Sequence, residues 1–183
     1  WIGTEGGGLN YYNRRTREFK WYRPQEGRNS ISHNNVKALY YDADKEIIWI
    51  GTHLGGLNKL DIRSGHFTHY RMEEGNPATL PSDIIRDIIP YKSLLIIATQ
   101  NGVCLFDPAN GQCQQLFKDS KEGKSIKMVA DVTFDSEGTL WIAATGEGVF
   151  SYRFDTCRLT NYRHDATNPN SLSNNNVNNI TQD

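Results

Sequence analysis

The sequence predicts an all-β fold built from about four four-stranded antiparallel sheets in tandem, and three observations predict it. A ten-residue motif opening on Trp recurs along the chain. A second, unrelated motif keeps the same beat. Apolar residues never follow the 3.6-residue spacing of a helix for ten residues or more.

The first motif is Trp1-Ile2-Gly3-Thr4-Glu5-Gly6-Gly7-Gly8-Leu9-Asn10, repeated as Trp49-Ile50-Gly51-Thr52-His53-Leu54-Gly55-Gly56-Leu57-Asn58. Weaker copies begin at Ile96 and Trp141, so the successive intervals are 48, 47 and 45 residues. The second motif is Ser30-Ile31-Ser32-His33-Asn34-Asn35-Val36, matched by Ser171-Leu172-Ser173-Asn174-Asn175-Asn176-Val177, with Leu80-Pro81-Ser82-Asp83-Ile84-Ile85 between them. The unit at 34–71 shows what one period contains. Val36–Tyr41 is β-rich and ends at a turn-like cluster, and Ile47–Ile50 is β-branched and aromatic, as suits a strand covered on both faces. Gly55-Gly56 breaks the chain, Leu57–Leu60 alternates, Asp61–Gly65 turns it, and His66–Tyr70 alternates again.

Small twisted sheets repeated every ~40–50 residues are blades of a propeller, because one such sheet covers its apolar faces only against its neighbours. The repeats fall at approximately 1–33, 34–81, 82–127 and 128–175, with 176–183 as the inner strand of a further or closing blade. Trp1, Trp49 and Trp141, with Ile96 in the odd place, are expected as the wedges between blades, and the smaller Ile96 predicts different packing in the third. Gly7, Gly8, Gly55 and Gly56 are read as turn glycines rather than a phosphate cradle, since no helix and no Lys-Ser/Thr follow.

Composition excludes several functions. With 20 Lys+Arg against 21 Asp+Glu the formal charge is −1, so no basic stripe points to nucleic acid. No apolar run approaches the ~20 residues that cross a bilayer, so this segment is expected to make no membrane contact. Three cysteines cannot complete a disulfide framework; Cys104 and Cys113 flank one turn signal, and all three read as ordinary strand residues. No cofactor is implied, and no metal: His66 and His69 are three apart on a strand, and no ligand ladder appears.

Two loop types should share one face of the disc: the turns after Thr4, Thr52, Thr99 and Thr145, and the segments entering each inner strand. They supply the candidate ligand-binding residues Glu5, His33, Asn34, Asn35, His53, Gln100, Asn101, Glu147, Asn174 and Asn175, whose amide and carboxyl groups suit sugar hydroxyls. The competing reading is that Asn and Ser here bond their own backbone in turns. No catalytic residue is assigned. Glu5 and Glu147 lie at nearly equivalent positions, but among 21 acidic residues such a pair arises by repetition alone. Asp135–Trp141 resembles the repeated box of propeller sialidases with its Asp one residue out of place.

The W-I-G-T-x-G-G-G-L motif, followed ~30 residues later by S-L-S-x-N-x-V, resembles the two-component regulator propeller repeat, over the whole chain as about four repeats. The resemblance implies the periplasmic sensor part of hybrid two-component proteins, best known in gut Bacteroides. In these, two seven-bladed propellers precede an immunoglobulin-like domain, a membrane helix, and kinase and receiver modules. It further implies a non-catalytic segment, a glycan-fragment ligand and a periplasmic location; the alternative is a propeller enzyme acting on polysaccharide. Four repeats are fewer than seven, nothing here resembles kinase, receiver or membrane helix, and the third repeat lacks its Trp and double Gly. The chain reads as part of something longer. Its leftover strand could close a four-bladed ring on Trp1–Thr4, two copies could join, or the chain could be an open arc. Self-association, or the remaining blades of a parent chain, is the expected partner.

Overall fold

The structure is a computed structural model and describes residues 1–120 and 122–183. Its first sheet has three strands, β1 (Ile2–Thr4), β2 (Gly8–Asn13) and β3 (Glu18–Tyr22). The second contains β4 (Val36–Asp42), β5 (Ile47–Thr52), β6 (Leu57–Asp61) and β7 (Phe67–Tyr70). The third contains β8 (Ile85–Tyr91), β9 (Leu94–Thr99), β10 (Gly102–Phe106) and β11 (Cys113–Gln115). The fourth contains β12 (Val129–Phe134), β13 (Leu140–Ala144), β14 (Gly148–Arg153) and β15 (Arg158–Tyr162). Every sheet is an antiparallel meander, and the helical content among the described residues is one 3-10 turn at Gly123–Ser125. The fold is that of propeller blades.

The motif residues have separable jobs. Thr52 Oγ1 donates to the Gly56 carbonyl (2.9 Å) and ties the end of β5 to the start of β6; Thr4 and Thr99 do the same to Gly8 and Gly102 (both 2.9 Å). The fourth sheet has Ala144 at this place and lacks the bond. Gly51 lets the next inner strand approach, since a Cβ there would lie 2.5 Å from Ile85 Cγ2. Gly56 sits at φ +70°, where a side chain would also run into the Tyr70 carbonyl, so both backbone angle and space require glycine.

Three apolar layers lie between consecutive sheets. Leu9, Ile31, Ile48, Ile50, Leu60 and Phe67 fill the first, with Trp1 and Tyr22 at its edge. Trp49 is 2% exposed in the second, edge-on to Phe106 (centroids 5.4 Å) and beside Tyr70. Ile96 lies fully buried in the third with Ile126, Ile142 and Phe150. Ile126 enters this third layer from the segment before β12, as Ile31 and Leu80 enter the first and second, and Phe117, from the segment after the three-residue β11, packs against it as well.

Four expectations need correction or refinement. Trp1 and Trp141 are half-buried rather than wedged: Trp1 lies at the edge of the first layer beside Tyr11 and Tyr22, and no described sheet covers Trp141 as the third covers Trp49. Trp141 packs on Tyr162 and donates from its indole nitrogen to Asp135 Oδ2 (2.8 Å). Asp135 Oδ1 also accepts from Glu137 and Thr139 backbone amides, so the box-like segment is a structural turn. Cys104 and Cys113 do lie on neighbouring strands, where the buried Cys104 thiol donates to the Cys113 sulfur (3.4 Å), and that bond together with burial pushes it well above the usual thiol range. Cys157 is instead an exposed turn residue at φ +53°. Residues 176–183 form no strand, since the edge of β1 lies at the other end of the array. They run beside β12, with the Ile180 N–H donating to Asp131 Oδ2 (2.7 Å).

The inner strands touch in sequence, β4 to β8 and β8 to β12, and each carries a bulge near its start. The bulges place Ala38, Asp87 and Asp131 at one repeat position. Asp87 Oδ2 accepts from the Val132 amide (3.3 Å) as Asp131 accepts from Ile180, so the acids bridge successive inner strands. Burial, and the neighbouring Asp131 carboxyl, raise Asp87 to about 6.

Two outcomes are expected. Trp49→Ala should lower unfolding free energy by about 3–5 kcal/mol in denaturant melts, the usual loss for a buried aromatic, whereas exposed Trp21→Ala should fall within about 0.5 kcal/mol of wild type. Because the folded Asp87 carboxyl binds its proton more tightly than the unfolded one, its contribution is fully present below about 3.8 and is lost as pH rises through about 6. Wild type should therefore lose stability relative to Asp87→Asn across that window, and a pH-independent difference in melts would contradict this.

Candidate functional site

The turn joining the second and third strands of each sheet lies against the segment that leads into the following inner strand. The Gly8 amide donates to the Asn34 carbonyl (2.7 Å), Gly56 to Asp83 (2.9 Å) and Gly148 to Asn175 (3.0 Å). The same turns are tied to their own inner strands, His53 to the Asn35 carbonyl (2.9 Å) and Gln100 to that of Ile84 (3.0 Å). These bonds gather both loop types on one face.

Much of the polar chemistry on that face is consumed by turns. His33 Nδ1, Ser82 Oγ and Asn174 Oδ1 stand at one repeat position, and each accepts the amide two residues on: Asn35 (3.1 Å), Ile84 (3.1 Å) and Asn176 (2.8 Å). Asn175 Oδ1 accepts from the His164 amide (2.7 Å), and Asp83 Oδ1 from Met72 (2.8 Å). Asn34 occupies the same position in the first repeat, but the residue corresponding to Met72 is Pro24, which has no amide hydrogen. Asn34 is accordingly exposed. Glu147 is paired with Arg163 (2.7 Å), and Asn101 Nδ2 donates to the Pro81 carbonyl (3.3 Å).

A free polar cluster remains between the first and second sheets. Asn35 Nδ2 donates to Glu5 Oε1 (3.4 Å), and Lys37, at the bulge of β4, lies 3.6 Å from the same oxygen. Asn35 Oδ1 and His53 Nδ1 are buried without a partner among the described residues. Beside them Leu54 is exposed at φ +72°, the position that Gly6 and Gly146 hold in other repeats. The structure thus brings Glu5, Asn34, Asn35 and His53 together. Gln100 and Asn101 stay on the third sheet's loop, and Glu147, Asn174 and Asn175 on the fourth's.

Sequence reasoning missed Lys37 and a set of arginines. Arg23 reaches the Gly7 carbonyl (3.3 Å), Arg71 the Leu54 carbonyl (3.3 Å) and Asp83 (3.5 Å), and Arg163 Glu147. The signal was present as the repeated Tyr-Arg pairs 22–23, 70–71 and 162–163. Among the described residues no three His, Cys, Asp or Glu side chains form a metal-binding group.

Comparison with known proteins adds the following. Residues 30–53 match the family model of the two component regulator propeller. No curated protein matches the chain. Among solved structures, the extracellular domain assigned to the hybrid two component system BT3049 of B. thetaiotaomicron aligns with a TM-score of 0.77 at 21% identity, over 88% of this chain and 23% of that one. The extracellular domain assigned to the hybrid two component system BT4673 of that organism aligns with a TM-score of 0.75 at 21% identity, over 96% and 22%. Another structure of the BT4673 domain, described there as a one component system, gives 0.77 at 22% identity, over 98% and 23%. The chain spans about a quarter of the length of these structures, and at such identity the likeness is one of fold. The fold along most of the chain is thus that of these propeller domains, and residues 30–53 match the two component regulator propeller repeat.

Proposed function

We propose that the chain is a non-catalytic recognition segment of an extracytoplasmic two-component sensor, and that the ligand it recognises is a glycan fragment. The observation that carries this reading is the cluster of Glu5, Asn35, Lys37 and His53, with its two unpartnered buried polar atoms, inside and beside the matched repeat. A sugar hydroxyl donates and accepts at once, and needs partners of both kinds at fixed spacing. Asn35 Oδ1 accepts, Lys37 donates, the His53 ring nitrogen does either according to tautomer, and Asn34 adds an exposed amide. Leu54 offers an apolar surface next to them.

The absence of chemistry in this proposal follows from the carboxylates. Glycoside hydrolysis takes two positioned carboxyl groups, one of them protonated. The cluster holds one carboxylate, Glu5, faced by Lys37 and by the Asn35 amide, while Glu147 is held by Arg163 on another sheet. The extracytoplasmic location is supported by the similar solved structures being extracellular domains. No helix among the described residues is long and apolar enough to cross a membrane.

Titration calorimetry against a panel of neutral and acidic oligosaccharides tests the reading. At least one member should bind, and Asn35→Ala or His53→Ala should weaken it by about 1–2 kcal/mol, the loss of a hydrogen bond at a desolvated site. Release of new reducing ends from any member would overturn the non-catalytic assignment, and a panel with no binder would defeat the glycan assignment.

A further inference from the structure

We propose that Cys104 and Cys113 are the two halves of a disulfide, which closes the β10–β11 hairpin when the chain meets a disulfide oxidant. Their sulfurs lie 3.4 Å apart in the second apolar layer, between the second and third sheets, and the bond needs about 2.05 Å. The strands set this approach. Phe106 pairs with Cys113 and Cys104 with Gln115, so the two cysteines are offset by two residues in register and share one face. The turn between them is fixed on itself. The Asp107 amide donates to the Gln112 carbonyl and the Gly111 amide to the Asp107 carbonyl (both 2.8 Å). The Asp107 carboxylate accepts from the Ala109 amide (2.9 Å) and from Asn110 Nδ2 (2.8 Å). The hairpin therefore holds the two sulfurs near each other.

The pair occurs in one repeat, and the reason is local. At these two positions the first sheet has Asn10 and Phe19, the second Asn58 and Phe67, and the fourth Phe150 and Leu159. In the second sheet Asn58 Oδ1 accepts from the Ser32 amide (2.8 Å), which ties the incoming segment to β6. Before the third sheet the place of Ser32 is taken by Pro81, which has no amide hydrogen. An asparagine at 104 would be buried with nothing to accept there, whereas a thiol is readily buried. The outer position changes with it. The Phe67 amide donates to Asn29 Oδ1 (2.8 Å), but the Cys113 amide donates to the Ala78 carbonyl (2.7 Å). Phe106, where the second sheet has Leu60, supplies beside Trp49 and Tyr70 the ring that Cys113 lacks. The third sheet thus gives up one polar tie and ends in a strand of three residues, and a covalent bond fastens that strand.

The chemistry is a two-step exchange with a second disulfide, R–S–S–R. Cys113 is the entry point, being 6% exposed on the outermost strand of its sheet, while Cys104 on β10 is fully buried. The Cys113 thiol loses its proton and attacks one sulfur of the oxidant, forming a mixed disulfide and releasing one thiolate. The Cys104 thiol then loses its proton and attacks Cys113 Sγ, which forms the Sγ–Sγ bond and expels the second thiolate. The chain loses two hydrogens with two electrons, and the oxidant is reduced to two thiols. Oxidising surroundings come with the extracytoplasmic location proposed above. The placement of the sulfurs stands without it, and so does the experiment below.

Equilibration of the chain with reduced and oxidised glutathione tests the proposal. It is done in a Cys157→Ser background, because the exposed Cys157 would otherwise link one chain to another. Samples are quenched in acid, unfolded, treated with a thiol-alkylating reagent and weighed by mass spectrometry. The oxidised chain should be two hydrogens lighter than the reduced one and take up no alkyl group, and a digest should give the peptides of Cys104 and Cys113 joined. The equilibrium constant for closing the bond should be about a hundredfold higher in the folded chain than in concentrated urea, because a native disulfide and the native fold favour each other by a factor of that order. A folded chain that keeps both thiols, or carries a glutathione on each, would overturn the proposal. So would a bond that closes as readily in urea, since the fold would then contribute nothing to it.

Discussion

The structure depends on sheets that are apolar on both faces and too small to stand alone. A four-stranded sheet with strands of three to seven residues leaves both of its surfaces open, so its stability comes from the layers on either side. The central strand β5 shows the consequence most plainly: Ile48 and Ile50 point into the layer before it and Trp49 into the layer after, and all three are buried. The same arrangement explains why burial declines toward the first and fourth sheets. Trp141 has the sequence context of Trp49 but a neighbour on one side only.

The period, the sheets and the apolar layers were legible in the sequence because they rest on large residues at fixed offsets. Trp49-Ile50-Gly51-Thr52 states its own reasons once the contacts are known: an aromatic for the joint, an aliphatic for the opposite face, no side chain where the next inner strand passes, and a hydroxyl to hold the turn. The candidate site was legible only in part. That its loops would lie on one face follows from the strand order, but which side chains stay free does not, because it turns on single amides. Asn34 and Asn175 are the same residue at the same repeat position. Only the identity of residue 24 or 164, proline in one case and histidine in the other, decides that Asn34 is exposed while Asn175 caps a turn. Lys37, Asp87 and Asp131 were missed for a related reason. Each sits at or next to a bulge, where one extra residue shifts the alternation and defeats the period-two reading that assigns faces.

Rigidity and openness are divided between the two ends of each strand. The inner strands are cross-tied by carboxylates and close glycine or alanine contacts, which leaves little freedom near the middle of the array. The loop face instead tolerates Leu54 at a left-handed angle where other repeats use glycine, a conformation worth roughly 1–2 kcal/mol against an L-residue. A conformation of that kind persists because the bonds from His53 to Asn35 and from Gly56 to Asp83 fix the chain on both sides of it. The neighbourhood of the proposed ligand is therefore held by backbone, while its side chains keep their hydrogen-bonding capacity.

This division bears on how a bound ligand could be felt elsewhere. Glu5 belongs to the first sheet, and Asn35, Lys37 and His53 to the second, so the cluster straddles a joint rather than lying within one blade. A ligand that contacts both sides adds its binding energy to the joint and stabilises one relative placement of the two sheets over others, by as much as its affinity differs between them. Because Val36 of β4 also packs into the place that Gly3 leaves open on β1, a change at the loop face is coupled through the shortest path to the inner strands.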